Sequence, residues 1–344
     1  MKRGFEMHIL SFESSCDETS CAVVEYDGER FNVKSNIVAS QIDIHARFGG
    51  VVPEIASRAH CEVISKITYE ALAEAGADLD KDIDAIAVTS SPGLIGALLV
   101  GVNFAKSLAY SHGLPLVAVN HMKGHIAANY ITHPELKPPF LTLIASGGHT
   151  SFVIVHDYTK TETVGSTRDD AMGEAFDKVA RVMGMPYPGG AALDKLAYEG
   201  NPTLKFPSSA ITGDTLDMSF SGIKTAVLNY INSKEQKGEE IPKADVAASF
   251  VESAVSGVIA KLSLTLDAYP EIKSLALAGG VAANSHLRSA VTKLAGERGI
   301  NLYLPELKYC GDNGAMIAVA GIFEYLEGKR ADVFLNACAA DEEE

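Results

Sequence analysis

Along the chain, short runs of β-branched and other apolar residues alternate with longer amphipathic stretches, the pattern of an α/β architecture with buried sheets. His8 to Phe12 reads as a strand, Glu13 to Thr19 as a small polar loop, Ser20 to Tyr26 as a second strand, and Asp27-Gly28 as a hairpin turn into a third. The scheme recurs later. Phe140 to Ala145 reads as a strand, Ser146-Gly147-Gly148-His149-Thr150 as the loop, Ser151 to His156 as the next strand and Asp157-Tyr158 as the turn. A repeated strand-loop-strand opening implies two similar domains, each presenting a tight loop to the cleft between them. The competing reading is a coincidence between two ordinary hairpins. His133-Pro134-Glu135-Leu136-Lys137-Pro138-Pro139 carries too many prolines for the interior of either element. The expected division is therefore a first domain over 1–132 and a second over 140–311, with the segment from about 312 to 344 packing back on the first. Asn232 to Lys243 reads as a surface loop between helices.

Composition fits this picture. At roughly 100–200 residues per domain, 344 residues suit two domains, and 47% hydrophobic with 21% charged residues is ordinary globular usage. The charge is −15, from 29 basic and 44 acidic residues, and the run Asp341-Glu342-Glu343-Glu344 reads as a solvated end. Such a balance does not advertise nucleic-acid binding. Cys16, Cys21, Cys61, Cys310 and Cys338 form no C-x-x-C pair, which argues against a disulfide framework or a thiolate zinc knot and suggests a reducing compartment. Lys2 and Arg3 imitate the start of a signal peptide, but Glu6, His8 and Glu13 interrupt the apolar stretch that would have to follow. The longest strongly apolar run, Leu94 to Val102, is about half of the ~20 residues a bilayer crossing needs. A cytoplasmic protein with no membrane attachment is expected.

Candidate chemistry begins after the apolar run Pro115 to Val119, which reads as a buried strand leading into a helix capped by Asn120. On that helix His121 and His125 share one face at i, i+4 and could offer two imidazoles to one metal ion. A pair with no metal is the bland alternative. Zinc proteases of the H-E-x-x-H type place a glutamate after the first histidine, where this chain has Met122, so the general base of that chemistry is missing. Asp312, in Cys310-Gly311-Asp312-Asn313-Gly314-Ala315-Met316, is a candidate third ligand; its competing role is the N-cap of the following helix. Two histidines and one carboxylate leave positions open on a divalent cation for substrate oxygens.

Three glycine-rich turns supply a second signal: Ser146 to Thr150, Tyr187-Pro188-Gly189-Gly190 before a helix containing Asp194, and Gly279 to Asn284 after the strand Ser274 to Ala278. Glycines let backbone N–H groups approach phosphates closely, although neither a P-loop nor a G-x-G-x-x-G fingerprint is present. Carboxylates cluster at Asp17 and Glu18, and again at Asp170, Glu174 and Asp177, whose i, i+4, i+7 spacing predicts one helical face turned to a cleft or to water. Asp169 reads as solvated, and the hydroxyls of Ser219 to Thr225 as a helix cap or a substrate loop. His45, His60, His112, His133 and His286 have no partner at ligand spacing and receive no role.

Taken together these motifs resemble the TsaD family, tRNA threonylcarbamoyladenosine synthases once described as O-sialoglycoprotein endopeptidases. The resemblance runs in order through Glu13-Ser14-Ser15-Cys16-Asp17-Glu18-Thr19, His45 to Glu54, Asn120 to His125, Ser146 to Thr150, Gly173 to Lys178, Gly279 to Asn284 and Asp312 to Met316, and covers about residues 7 to 330. The Gly173 to Lys178 run is similar to the bacterial branch; the first six residues and the acidic tail depart from the family pattern.

The resemblance implies a two-domain actin-like, Hsp70-like (ASKHA) fold with duplicated domains. It implies transfer of a threonylcarbamoyl group from threonylcarbamoyl-AMP to N6 of adenosine 37 in tRNAs reading codons that begin with A, with release of AMP. His121, His125 and Asp312 match the ligands of one divalent metal ion per subunit, iron (Fe2+) or zinc. Ile144, Ala145, Ser146, Gly147, Gly148, Asp177, Gly190, Asp194 and Asn284 match positions that hold an adenine nucleotide or threonylcarbamoyl-AMP. Asp17 and Glu18 are the candidate catalytic bases for the amine proton. The implied partners are tRNA, an inactive TsaB-type paralogue, a small TsaE-type ATPase and a separate synthase that supplies threonylcarbamoyl-AMP. Competing readings are a small-molecule kinase or ATPase of the same superfamily, which would not need His121, and a nucleotide-dependent assembly module, which would not need the His121, His125 and Asp312 set.

Overall fold

A computed structural model describes residues 6–340, so Lys2, Arg3 and the acidic run at 341–344 lie outside the described residues. In chain order the elements are β1 (Met7–Glu13), β2 (Glu18–Tyr26), β3 (Phe31–Ser40), α1 (Ile42–His45), α2 (Pro53–Ala75), β4 (Ala85–Ser91), α3 (Ile95–His112), β5 (Leu116–Asn120) and α4 (His121–Thr132). There follow β6 (Phe140–Ala145), β7 (Thr150–Asp157), β8 (Lys160–Ser166), α5 (Met172–Val182), α6 (Gly190–Ala197), α7 (Ser221–Lys237), α8 (Lys243–Ala268), β9 (Ser274–Ala278), α9 (Ser285–Arg298), β10 (Asn301–Tyr303) and α10 (Gly314–Leu326). Among the described residues these group into two compact units, one formed by 6–136 with 305–340, the other by Lys137–Leu304.

Each unit is built on a five-stranded mixed sheet, in the order β3-β2-β1-β4-β5 in the first and β10-β9-β6-β7-β8 in the second. In the first, β1, β2 and β3 form an antiparallel meander, β4 runs parallel to β1, and β5 runs parallel to β4. In the second, β6, β7 and β8 form the meander, β9 is parallel to β6, and β10 is parallel to β9. The connectivity is the same in both, so the repeated opening in the sequence marks a duplicated α/β topology.

Burial on both faces explains why these strands read as continuous apolar runs. In the first unit Leu10, Phe12, Val23, Ile86 and Val88 pack against Ile64, Ile67 and Ala71 of α2 and Val102, Ala105 and Ala109 of α3. Strand residues alternate in direction, so Ser11, between Leu10 and Phe12, reaches the other face, where its hydroxyl donates to the Gly314 carbonyl at 2.7 Å. That face is covered by α10, which packs on β1, β2 and β4 and against α4.

In the second unit α8 is a core helix: Phe250 stacks edge-on to Phe176 with centroids 4.9 Å apart. Its most apolar window has mean hydropathy 1.3 and is 67% buried. Among the described residues it is the one helix long and apolar enough to span a bilayer, and the apolar-run reading passed over it because Glu252 and Lys261 interrupt the stretch.

Three local readings need correction. The loop expected at Glu13 to Thr19 is shorter, because β1 runs through Glu13 and β2 already begins at Glu18. The stretch read as a loop from Asn232 is helical as far as Lys237, since a solvent-facing helix end is as polar as a loop. The hydroxyls of Ser219 and Ser221 do not cap α7; they and the backbone N–H groups of Phe220 and Ser221 all donate to Asp169. Asp169 is therefore a cap supplied from fifty residues away rather than a solvated carboxylate, held below the usual range because these donors outweigh its burial.

Candidate functional site

In the first unit the carboxyl ends of the parallel strands β1, β4 and β5 carry Glu13, Thr89 and Asn120, the edge at which open α/β sheets present their ligands. The Asn120 side chain accepts from the backbone N–H of Met122 and Lys123, at 2.8 and 3.2 Å, which fixes the first turn of α4. His121 and His125 then lie one turn apart with ring centroids 4.6 Å apart, edge to face.

Asp312 arrives from the turn before α10. That helix start is anchored on the sheet: Gly314 donates to Ser20 Oγ at 2.7 Å, and the Asn36 side chain accepts from Ala315 at 3.2 Å. The approach is so close that a Cβ on Gly314 would sit 2.8 Å from the Ala22 nitrogen. The N-cap of α10 is Asn313, which accepts from Met316, so the capping role weighed for Asp312 belongs to its neighbour. Asp312 Oδ1 lies 3.2 Å from His125 Nε2 and 3.5 Å from His121 Nε2, and one ligand atom from each of the three lies within 4.8 Å of the others.

These residues fit a divalent cation. The His125 side chain is fully buried, and neither of its ring nitrogens makes a hydrogen bond. Buried polar atoms left unpaired are costly, and a cation shared with His121 and Asp312 relieves that cost at Nε2.

The sequence reading missed Glu13. Its side chain is fully buried at the end of β1, where Oε2 accepts from His121 Nδ1 at 3.0 Å and from Thr89 Oγ1 at 2.6 Å, and Oε1 accepts from Ser15 N–H. Burial works against both charges, but Asp312 and Glu13 together push His121 up to about 9, and His121 holds Glu13 below the usual carboxylate range. The available signal was an acid closing a mostly apolar strand.

Asp17 and Glu18 stand at the mouth of the same turn. Gln41 donates its backbone N–H to the Asp17 carbonyl, while buried His60 of α2 bridges Thr19 Oγ1 at 2.7 Å and the Cys16 carbonyl at 2.9 Å. His60, given no role from the sequence, thus clamps this turn, and its burial keeps it below the ordinary histidine range. Burial, with the Asp312 and Asp17 carboxylates, pushes Glu18 up to about 9. Burial and Asp17 likewise push the Cys16 thiol up.

The remaining candidates lie in the second unit. Ile144 and Ala145 are fully buried in β6, so only their main chain is available, whereas Gly147 and Gly148 are exposed at the tip of a turn closed by Ser146 N–H donating to the His149 carbonyl at 2.8 Å. Asp177 Oδ1 accepts from the N–H groups of Gly189 and Gly190, at 2.8 and 2.9 Å, so the amides read as phosphate donors are engaged at the start of α6. The expected carboxylate face is not formed. Asp170 precedes α5 and pairs with Lys178 and Lys224, Glu174 pairs with Lys178, and Asp177 turns to the glycines.

Asp194 accepts from Ser285 N–H and Oγ, at 2.9 and 2.7 Å, and pairs with His286 Nδ1 at 2.6 Å; these contacts outweigh its burial and hold it below the usual range. Asn284 caps α9 by accepting from Leu287 at 2.8 Å. His286 therefore has a partner, and so do the other unassigned histidines: His45 with Gln41, His112 with Asp80 and His133 with Glu135.

The TsaD family model, described as tRNA N6-adenosine threonylcarbamoyltransferase, matches residues 32–319. A Clostridium botulinum protein of that name is 54% identical over 332 residues, 96% of each chain, and a Clostridium perfringens protein of that name is 55% identical over 330 residues, again 96% of each. Among solved structures, T. kodakarensis HypF matches with a TM-score of 0.65 at 15% identity, over 94% of this chain and 48% of that one, a likeness of the two-domain actin-like fold alone. With 54–55% identity to proteins of that name over 96% of its length, the chain belongs to the tRNA N6-adenosine threonylcarbamoyltransferase family.

Proposed function

We propose that the chain transfers a threonylcarbamoyl group to N6 of adenosine 37 in tRNAs reading codons that begin with A, drawing it from threonylcarbamoyl-AMP and releasing AMP. The observation that carries this reading is the 54–55% identity, over 96% of the chain, to proteins named for that transfer. The kinase and assembly readings gain no comparable support.

Adenine's amine is a weak nucleophile because its lone pair is delocalised into the ring, while a carbamoyl carbon joined to phosphate has a good leaving group, so the need is for positioning and charge stabilisation. In this proposal His121, His125 and Asp312 hold one divalent cation, iron or zinc, which when bound supplies Lewis-acid polarisation and charge balance for a phosphate-bearing donor. Asp17 or Glu18 accepts the proton the amine releases. The exposed Gly147 and Gly148 turn binds the adenylate part of the donor, and Asp177, Gly190, Asp194 and Asn284 order the starts of α6 and α9 for it. The setting is the cytoplasm, with a TsaB-type paralogue, a TsaE-type ATPase and a separate synthase as partners.

The test is reconstitution. The chain is incubated with tRNA, threonine, bicarbonate, ATP, the synthase and the two partner proteins, and the RNA is digested and its nucleosides weighed. Threonylcarbamoyladenosine is expected only when the chain is present. Its absence from the complete mixture, with threonylcarbamoyl-AMP demonstrably formed, would sink the proposal.

A further inference from the structure

We propose that Glu13 is a positioning residue for the metal centre: its buried carboxylate fixes the tautomer and orientation of His121 and supplies the second negative charge that balances a divalent ion. This rests on the metal reading of His121, His125 and Asp312.

An ionised carboxylate can only accept hydrogen bonds, so the 3.0 Å contact between Glu13 Oε2 and His121 Nδ1 favours the proton on Nδ1, with Ser15 Oγ, 3.2 Å from the same nitrogen, as a further acceptor. Nε2 is then the ring nitrogen left to face a cation, on the side where Asp312 Oδ1 lies 3.5 Å away. Thr89 Oγ1 and Ser15 N–H hold the carboxylate itself, so the chain of contacts runs from the ends of β1 and β4 into the ring. Histidine ligands commonly give their second nitrogen to a carboxylate in this way, which fixes the ring and raises its basicity.

The two histidines differ in what they need. The His125 side chain has no exposed surface and is held by packing, whereas that of His121 keeps 8% exposure and has this tether. Charge points the same way. The one ion pair Glu13 makes among the described residues is with His121, and no Lys or Arg offsets it. A fully buried carboxylate of that kind is expensive to keep for packing alone. With a divalent cation, two neutral imidazoles and the carboxylates of Glu13 and Asp312, the net charge of the cluster is zero.

The experiment titrates the purified full-length chain with Co2+ alone, reading the dissociation constant and the visible absorption band. Glu13→Gln is expected to weaken binding by about 10–100-fold and shift the band, with melting of the metal-free protein little changed. A role confined to holding the Ser15 turn would move melting and leave the band alone. If Glu13→Gln binds Co2+ with unaltered affinity and spectrum while His121→Ala does not bind, the inference is overturned and the metal reading survives. If the unaltered chain binds no Co2+, both fall. Should Glu13→Gln fail to fold, 15N-histidine spectra of the Zn2+-loaded unaltered chain decide: a proton on His121 Nδ1 is expected, and a proton on Nε2 would overturn the proposal.

Discussion

Replacing His121 and His125 together by alanine is expected to abolish both bound metal and transfer while leaving the fold intact. Lewis-acid and charge stabilisation by a bound ion is worth several kcal/mol of barrier, which corresponds to a loss of about a thousandfold or more in rate. The fold should tolerate the change because His125 makes no hydrogen bond that its loss would leave unpaired. At position 121 the substitution removes the ion-pair partner of Glu13 but leaves its Thr89 Oγ1 and Ser15 N–H donors in place. Metal content by elemental mass spectrometry, nucleosides by mass spectrometry and circular dichroism check the three parts. A folded double variant with undiminished transfer would remove the metal from the mechanism.

The second large effect concerns the second unit. Gly279 leaves β9 with φ at +90°, and a Cβ there would meet the Ala145 carbonyl oxygen at 2.3 Å. The cause is topological: β6 and β9 are parallel neighbours with Ile144 opposite Ala278, so the turn leaving one strand crosses the carbonyl that ends the other. Gly279→Ala is expected to cost about 2–4 kcal/mol through strain and clash, and to displace the Asn284 cap a few residues on. Gly280 is the control, since a Cβ there meets nothing within 4 Å and its φ is not left-handed. Gly280→Ala should change stability by no more than about 0.5 kcal/mol. Thermal melts distinguish them; equal melting of the two variants would show that the turn is not strained as described.

How much of this could be read from the residues depended on whether the signal was local. β6 and β9 are legible residue for residue, because strands buried on both faces are unbroken apolar runs bounded by turn residues. The Asn120 cap and the His121 and His125 pair follow from helix geometry over a few positions. Asp312 against Asn313 could not be decided that way, since both residue types cap helices equally well and only the β1 and β2 anchors of Gly314 fix which side chain turns toward the histidines. Asp169, Glu13 and His286 were missed for the same reason: each acts on residues 50 to 108 positions away, and neither spacing nor polarity records such a contact. Glu13 is also an exception to the rule that carboxylates face water.

The measurement that bears most directly on the central claim is anomalous diffraction from crystals of the metal-loaded chain, recorded on both sides of the absorption edge of the bound metal. One peak is expected per chain, enclosed by His121 Nε2, His125 Nε2 and Asp312. A peak elsewhere, or these three side chains turned apart around empty space in a metal-replete crystal, would contradict the account.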